Sequence, residues 1–535
     1  MLVSALVLGC ASAVLASSGY LKLDLEHVQG PRLVKRQTNT DHLGQQIVAG
    51  ENGSLYWLNL TIGTPPQSFR LQLDTGSSDV VVTNSKVKEC KKEGGCPSGS
   101  YDPGSSSTYE LVSEGTFNNS YGDGTAYIGD YFTDVLSVGG IDIKAGDLIV
   151  GLANQLEDGP QLVNDGTGLV GVGYQANSGA VVLTLQNNTL PSTVISAMVS
   201  SGDIGRQAYS LYLGSQEAAK GRIIFGGIDP SLYTGDLVAL PVLKDPVQYA
   251  EYTDFKVALT GVSVTDESGT RLLTDTDFAM PVLLDSGNTV TNLPSSLVDA
   301  VYGGFGITSI EGSATIPCSR NRANASLTYH FGGGDDGPSI NVPLSALIAP
   351  LSEPAQFSDG QDICQFKVDV PNGDTLVLGD SFMRSGYFVF DLDNNQVALA
   401  QAATSSVAGS SGSISAIMSG TDIPGCSSTN TFSIDVSSAT LSDEGGPAAA
   451  TSDNAEATGS INPVTPTFDL GAAATETANE SGSSGGSGGS SGSASSSGSG
   501  IGSGNAAPSV RVPSTVVVAG SSVVALAVGF AMVLL

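Results

Sequence analysis

The sequence predicts a mainly β protein (all-β class) with a few short helices, built from two similar halves. From residue 37 to residue 402, short runs of Val, Ile, Leu, Phe, Tyr and Thr alternate with turns of Gly, Asn, Asp and Pro, the pattern of a β-rich fold. One motif occurs twice: an apolar run that ends in Asp and is followed by Thr or Ser and then Gly, at Asp74 and at Asp285. Each half is therefore predicted to deliver one carboxylate from a buried strand.

Strands are predicted in the segments YWLNLTIG, GRIIFGG, YFVFDL and NQVALA, where β-branched and aromatic residues lie between turn residues. Few stretches have helical period. In PSSLVDAVYGGFG, Leu297, Ala300 and Val301 share one face, and Ser295 or Ser296 is placed to cap the first turn. The segment PSTVISAMVSSG is predicted to form a second short helix.

The two copies of the Asp motif lie 211 positions apart, about half of the folded region. Roughly one Asp-Ser/Thr-Gly is expected by chance in a chain of this length, so a single copy would be weak evidence. Both copies are followed further along by an apolar pair and Gly, in GLVGVG at 168–173 and in LVLGDSF at 376–382. This second shared feature indicates that one half-structure is present twice.

The composition is acidic and moderately apolar. A chain of 535 residues, of which 40% are hydrophobic, can form two domains or more with a sizeable core. Its formal net charge of −31 excludes nucleic-acid binding through a basic surface and favours basic partners.

The N-terminal residues are predicted to be processed. Residues 1–16 form an apolar stretch that ends in small residues and reads as a signal peptide, although a charged first region is missing; a buried first helix is the alternative. Residues 17–36 read as a short pro-segment, because they end in Lys35-Arg36, a dibasic pair of the kind that kexin-type convertases cut. The alternative is a solvated basic patch.

The C-terminal residues are predicted to tether the protein. Residues 403–515 are rich in Ser, Gly, Ala and Thr, which predicts a disordered stalk. Residues 516–535 are apolar and about long enough to cross a bilayer. Small residues and a short spacer precede them, which indicates a GPI-attachment signal with Asn505 as the attachment site. A retained tail anchor is the alternative.

Cysteines indicate an oxidising compartment rather than a metal site. Cys10 leaves with the signal peptide, and no His cluster accompanies the others, so neither a metal nor a cofactor is predicted. Four of the remaining cysteines allow three disulfide connectivities, of which we expect the local pairs Cys90–Cys96 and Cys318–Cys364. Cys426 is left over.

Several blocks together resemble the pepsin family of aspartic proteases, over residues 55–402: LTIGTPPQSFRLQLDTGSSD, YGDGTAYIGD, FGGIDPSLYTGDL, VLLDSGNTVTNLPSSLVDAVY and LVLGDSFMRSGYFVFDLDNNQVALAQ. The dibasic site, stalk and tail are similar to those of yapsin-like fungal enzymes of the cell surface. The resemblance implies a bilobal peptidase domain at 37–402, with lobes at about 37–230 and 231–402 and a cleft between them.

In this resemblance Asp74 and Asp285 are the catalytic pair. Two carboxylates this close cannot both ionise, so they share one proton, as in pepsin, the standard example of such a dyad. The charged member acts as general base on a water, while the protonated one polarises the scissile carbonyl. Two solvated turn aspartates are the alternative.

The neighbours of the pair acquire supporting roles by the same resemblance. Gly76 and Gly287 allow tight turns, and their amides reach the carboxylates. Thr75 and Ser286 brace the two loops through crossed hydrogen bonds of their hydroxyl groups. Ser77 forms a hydrogen bond near Asp74.

The segment SYGDG resembles the tip of a flap, with Tyr121 covering the substrate beside Gly122. Asp123 in this tip is expected to favour Lys or Arg before the scissile bond; the alternative is that it only shapes the turn.

Two positions depart from the family. Asn288 stands where a Thr is usual; an amide there can still donate to the outer oxygen of Asp285, and the pKa values of the pair can differ from those of other members. Val81 stands where many members have a Trp that bonds the flap tyrosine.

The sequence thus predicts a monomeric endopeptidase that acts on proteins or peptides at acidic pH, outside the cell and attached to its membrane or wall. The alternatives are a binding protein with an inactive cleft and a wall adhesin. Sequons predict glycosylation, one of them inside a predicted strand (Asn59): Asn52, Asn59, Asn118, Asn187, Asn324 and Asn479.

Overall fold

The computed structural model describes residues 19–28, 55–92, 95–121, 125–157, 168–214, 220–247, 250–275, 278–310, 312–332, 337–351, 354–371, 373, 375–403 and 413–429. Several predictions lie outside these residues: the signal peptide, most of the stalk, the apolar tail, the flap residues Gly122 and Asp123, the sequons Asn52 and Asn479, and Asn505. Within the described ranges, no helix is long and apolar enough to cross a membrane.

The predicted mainly β class is confirmed, because strands dominate the described residues. The chain up to residue 241 forms β1 (Leu21–Val28), β2 (Leu55–Ile62), β3 (Gln67–Asp74), β4 (Val80–Thr83), β5 (Glu110–Ser120), β6 (Ala126–Thr133), β7 (Leu136–Val138), β8 (Ile141–Ile143), β9 (Val150–Glu157), β10 (Leu169–Gly171), β11 (Ala208–Tyr212), β12 (Lys220–Phe225), β13 (Gly227–Ile228) and β14 (Tyr233–Pro241).

The later part of the chain forms a second series of strands: β15 (Lys256–Asp266), β16 (Gly269–Leu272), β17 (Met280–Leu284), β18 (Thr291–Asn292), β19 (Thr308–Ile310), β20 (Ser313–Pro317), β21 (Ser326–Phe331), β22 (Ser339–Pro343), β23 (Ile348–Pro350), β24 (Ile363–Phe366), β25 (Val368–Asp369), β26 (Val377–Leu378), β27 (Gly386–Asp391), β28 (Gln396–Ala402), β29 (Ser415–Ala416) and β30 (Cys426–Thr429).

The helices are short. The α-helices are α1 (Val181–Thr184), α2 (Val194–Ser201), α3 (Ser295–Phe305) and α4 (Asp380–Met383), and the 3₁₀ helices are Glu89–Lys91, Pro103–Ser105, Gln175–Asn177, Leu185–Asn187, Pro230–Leu232, Cys318–Arg322 and Leu344–Leu347. Both predicted helices are present, as α2 and α3. The predicted Ser cap of α3 is wrong: Pro294 occupies the cap position, and no side chain bonds the first turn. Proline fits there because its fixed φ suits the approach to a helix.

One large sheet joins the two halves. Its order is β30-β14-β28-β27-β11-β12-β1-β2-β3-β10-β4-β9-β6-β5, with β7 and β8 attached beside β2. The second half has its own sheet, β22-β21-β15-β17-β26-β18-β25 with β16 beside β15, and a smaller one, β19-β20-β24-β23. Because β27 and β28 return to pair with β11 and β14, the last strands of the second half bind both halves together.

The repeated sequence motif corresponds to a repeated strand arrangement. In the first half, β10 runs parallel to β3 and antiparallel to β4, with Gly171 opposite Asp74. In the second half, β26 runs parallel to β17 and antiparallel to β18. The apolar pairs recognised in GLVGVG and LVLGDSF form β10 and β26. Each Asp loop is thereby held beside a short strand from a later part of its own half.

The predicted start of the disordered stalk at residue 403 is wrong for part of that segment. Residues 413–429 fold against the body: β29 pairs with β13, and β30 runs parallel to β14. Ile417 and Ile423 are buried in an apolar cluster with Ile228 and Leu237. Sparse isoleucines suffice here because the sheet already provides an apolar face. We call residues 413–429 the strap.

The predicted pro-segment contributes β1 to the middle of the large sheet. Leu21 is paired with Phe225 of β12, and Glu26 with Trp57 of β2. The strap lies close to the start of this strand, since a Cβ added to Gly227 would be 2.9 Å from the Tyr20 Cβ and 3.0 Å from the Ile414 Cγ2.

Both expected disulfides are formed, Cys90–Cys96 and Cys318–Cys364, and Cys426 lies at the start of β30. The sequon residue Asn59 lies in β2, as its sequence context predicted, and its side chain is exposed.

Candidate active site

The two repeated Asp residues meet where the halves join. Asp74 is the last residue of β3, and Asp285 directly follows β17. A Cβ added to Gly76 would lie 2.7 Å from the Asp285 Cγ, and one added to Gly287 would lie 2.5 Å from the Asp74 Oδ1. Glycine is therefore required in each loop because the carboxylate of the opposite half occupies the space of a side chain.

Crossed hydrogen bonds join the two loops, as the resemblance implied. The Thr75 hydroxyl donates to the Leu284 carbonyl at 2.8 Å and accepts from the Ser286 N–H at 2.9 Å. The Ser286 hydroxyl donates to the Leu73 carbonyl at 3.0 Å and accepts from the Thr75 N–H at 3.2 Å. All four bonds are buried, so they hold the two carboxylates at a fixed separation.

The two carboxylates have different surroundings. Asp74 accepts hydrogen bonds from the Gly76 N–H at 2.8 Å and from the Ser77 hydroxyl. Asp285 accepts from the Gly287 N–H at 2.7 Å and shares a hydrogen bond with Asp74. Two external donors stabilise a charged carboxylate at Asp74, whereas Asp285 has one.

The pKa of Asp285 is raised well above its usual value. Desolvation is the largest cause, followed by the charge of Asp74 and the hydrogen bond shared with it; the Gly287 amide opposes the rise, and the charge of Asp380 adds to it. The pair therefore retains one proton well above the pH at which an isolated carboxyl group would lose it. The arrangement provides a carboxylate and a carboxylic acid side by side.

The Asn288 side chain bonds within its own turn. Its Oδ1 accepts from the Val290 N–H at 3.1 Å, and its amide donates to the Asn292 Oδ1 at 3.4 Å. A local turn thus satisfies the side chain. Within the described part of the chain, Asp285 has no hydroxyl donor that corresponds to Ser77 at Asp74, and this contributes to the asymmetry of the pair.

Tyr121 follows β5 at the start of the flap tip, where its N–H donates to the Thr125 carbonyl at 2.8 Å. Its ring packs edge-on against Tyr127, with 5.7 Å between ring centroids. It also contacts a buried cluster that contains Val81. Tyr121 is thus part of a packed hairpin base, while the remaining predicted flap residues lie outside the described part of the chain.

Sequence reasoning missed three residues around the pair. Gln72 donates across the halves to the Gly287 carbonyl at 2.9 Å, and Asn177 donates to the Gly76 carbonyl at 3.2 Å and to Asp254 at 3.1 Å. Asp380 is fully buried. Of these three residues, only Asp380 lies in a segment that the sequence singles out, since it is the charged residue of LVLGDSF. Across the described residues, no group of three or more His, Cys, Asp and Glu could hold a metal ion.

A pair of carboxylates that shares a proton, one from each of two similar β-rich halves, defines an aspartic-type hydrolase. A family model for eukaryotic aspartyl proteases matches residues 55–402. The chain is 39% identical over 354 residues to the "Probable aspartic-type endopeptidase opsB" of Aspergillus oryzae, covering 65% of this chain and 68% of that protein. It is 33% identical over 385 residues to "Secreted aspartic protease 3" of Candida albicans, covering 69% and 83%. The chain belongs to the eukaryotic aspartyl protease family.

The raised pKa of Asp285 predicts that the protein is more stable in acid than at neutral pH. In the folded state Asp285 keeps a proton that the unfolded chain loses above about pH 3.9, so stability falls as pH rises from there through the folded pKa. Burial raises the pKa of Asp380 as well, in the same direction.

This prediction is tested by thermal unfolding of wild type and Asp285→Asn between pH 4 and pH 8. The melting temperature of the wild type should fall with pH, and the variant, which has no proton to lose at this position, should show a smaller fall. Equal slopes for the two proteins would contradict the prediction.

Proposed function

We propose that this chain is an acid-active endopeptidase that uses Asp74 and Asp285 to activate water. The observation that carries the proposal is the asymmetry of the pair, in which Asp74 has two external donors and Asp285 has a raised pKa. The proton-free carboxylate accepts a proton from water, and the carboxylic acid donates a hydrogen bond to the scissile carbonyl. Attack gives a tetrahedral intermediate without a covalent link to the protein.

The substrate class is proteins or peptides, and the working unit is a monomer. Family membership and the intact Asp-Thr-Gly and Asp-Ser-Gly loops support this proposal over a binding protein or an adhesin. Cleavage of casein at acidic pH, abolished by a statine-type inhibitor, tests it. A folded wild-type protein that does not cleave casein or a peptide library at any pH would contradict it.

The proposed place of action is outside the cell. One relative is named a secreted aspartic protease, and the first residues of this chain have the pattern of a signal peptide. The apolar end at 516–535 and the small residues near Asn505 support lipid anchoring.

The anchoring proposal predicts that a phosphatidylinositol-specific phospholipase releases the mature protein from membranes. The mature protein should also lack residues after about Asn505, because attachment of the lipid removes the apolar tail. Mass spectrometry of the mature chain checks this, and recovery of a peptide from 516–535 would contradict it.

The proposed specificity depends on Asp123. A carboxylate above the pocket for the residue before the scissile bond would bind Lys or Arg through a charge-assisted hydrogen bond worth about 1.5–3 kcal/mol. That corresponds to roughly ten- to hundredfold in rate if it is expressed in the transition state. The net charge of −31 adds long-range attraction for basic substrates.

We therefore predict that Asp123→Ala lowers the Lys:Leu ratio of kcat/KM, measured on paired peptides that differ only before the cleaved bond. Asp123→Asn is the matched control for the turn, because it keeps the side-chain shape and removes the charge. If the ratio is the same in all three proteins, Asp123 does not set specificity.

A further inference from the structure

A buried carboxylate lies five residues after Asp74 and does not belong to the catalytic pair. Asp79 is 5% exposed. It accepts hydrogen bonds from the Asn119 amide at 2.9 Å, the Gly179 N–H at 2.8 Å and the Ser178 hydroxyl at 2.5 Å. Because a buried carboxylate is costly without donors, these bonds fix the side chain together with the groups that bind it.

The three donors come from two separate parts of the chain. Ser178 and Gly179 follow the 3₁₀ helix Gln175–Asn177, whereas Asn119 lies on β5, the first strand of the flap, two residues before Tyr121. A Cβ added to Gly179 would lie 2.5 Å from the Asn119 Oδ1, so this turn is in direct contact with the flap strand. Asp79 therefore joins the catalytic loop, a fixed turn and the flap.

Asn119 is also a hydrogen-bonding neighbour of the flap tyrosine. The Tyr121 hydroxyl is buried, and burial raises its pKa well above the usual value, while a side-chain hydrogen bond with Asn119 partly opposes the rise. Val81, an apolar residue in the cluster beneath the ring, stands where the family resemblance leads one to expect a Trp that bonds the tyrosine.

We propose that Asp79 is a positioning residue for the end of β5, which it fixes through Asn119 so that Tyr121 stays within electrostatic reach of Asp74. This inference rests on the proposed function, since the position of Tyr121 affects turnover only if Asp74 and Asp285 cleave a substrate. Without the Asn119 bond, this arrangement of Tyr121 is populated less in the free enzyme. The apparent affinity for substrate then falls in proportion to that population, whereas bound substrate restores the arrangement and preserves kcat.

The test variant is Asn119→Ala, which keeps the Asn118 sequon intact because Ser120 is unchanged. We expect KM, and the inhibition constant of a statine-type inhibitor, to rise about tenfold or more, the range for one hydrogen bond to a charged group. The kcat and the pH profile should remain those of the wild type, because the dyad is untouched.

Two variants serve as matched controls. Ser178→Ala removes another donor to Asp79 that is not part of the flap, and Thr116→Ala changes an exposed residue of the same strand. Hydrogen exchange gives a readout that does not depend on activity. Peptides covering residues 117–131 should exchange faster in Asn119→Ala than in either control.

The outcomes separate this proposal from the proposed function. In an active wild-type enzyme, unchanged KM and exchange in Asn119→Ala would overturn the flap role and leave the peptidase assignment intact. A fall in kcat at constant KM would also overturn it, because the residue would then act on the dyad. If the wild type is inactive, the peptidase assignment fails, and hydrogen exchange alone decides whether Asn119 fixes the flap.

Discussion

Asp74→Asn and Asp285→Asn should each lower kcat/KM by about a thousandfold or more, within the range that acid and base catalysis contribute. An amide at position 74 cannot accept a proton from water, and one at position 285 cannot supply the acidic proton. The crossed bonds of Thr75 and Ser286 do not involve either carboxylate, so both variants should fold. Hydrolysis of a fluorogenic peptide across acidic pH measures the loss.

The matched control is Asp142→Asn, which removes an exposed carboxylate on β8 and should leave kcat/KM unchanged. Circular dichroism of all variants separates lost chemistry from lost structure. Wild-type turnover in either dyad variant would refute the two-Asp mechanism.

A chain that ends at Ala403 should be much less stable than one that ends at Thr429. The longer chain keeps the strap, in which Ile417 and Ile423 are buried, at about 1.5–3 kcal/mol for each side chain. It also keeps the Thr421 carbonyl that accepts from the Arg206 guanidinium at 2.6 Å. A loss of about 3–6 kcal/mol is a large part of the stability of an ordinary domain.

Urea unfolding of the two truncated chains measures this difference in stability. Because both chains lack residues 430–535, the comparison isolates the segment between residues 403 and 429. If the shorter chain does not fold, Ile417→Ala and Ile423→Ala in the longer chain test the same contacts, at about 2–5 kcal/mol each. Equal midpoints for all of these proteins would show that the strap contributes nothing to the body.

The sequence predicted the dyad loops because their signal is local. An apolar run, an Asp, a hydroxyl residue and a Gly are adjacent in the chain, and each maps onto one strand end. The strap was missed for the opposite reason. Its few isoleucines lie among Ser and Gly, and part of the apolar face that receives them comes from residues almost two hundred positions earlier, such as Ile228 and Leu237.

The sequence also could not predict which partners the polar side chains around the pair would bind. By residue type alone the Asn288 amide could donate to Asp285, but in the structure it donates to the Asn292 Oδ1. Gln72 bridges the halves through the Gly287 carbonyl, and Asn177 does so through the Asp254 carboxylate. No local motif records either contact. Such contacts follow from how two halves dock, and this depends on all of their strands together.

The position of β1 has a further consequence for a chain cut after Arg36. The cut would leave residues 21–28 without a covalent link to the body, although β12 and β2 would still hold them on both sides. The strand would then be a non-covalently bound peptide, and the fraction that stays bound would fall on dilution, as for any ligand. Its departure would open a slot with two unpaired backbone edges, a site that accepts another extended segment by strand addition.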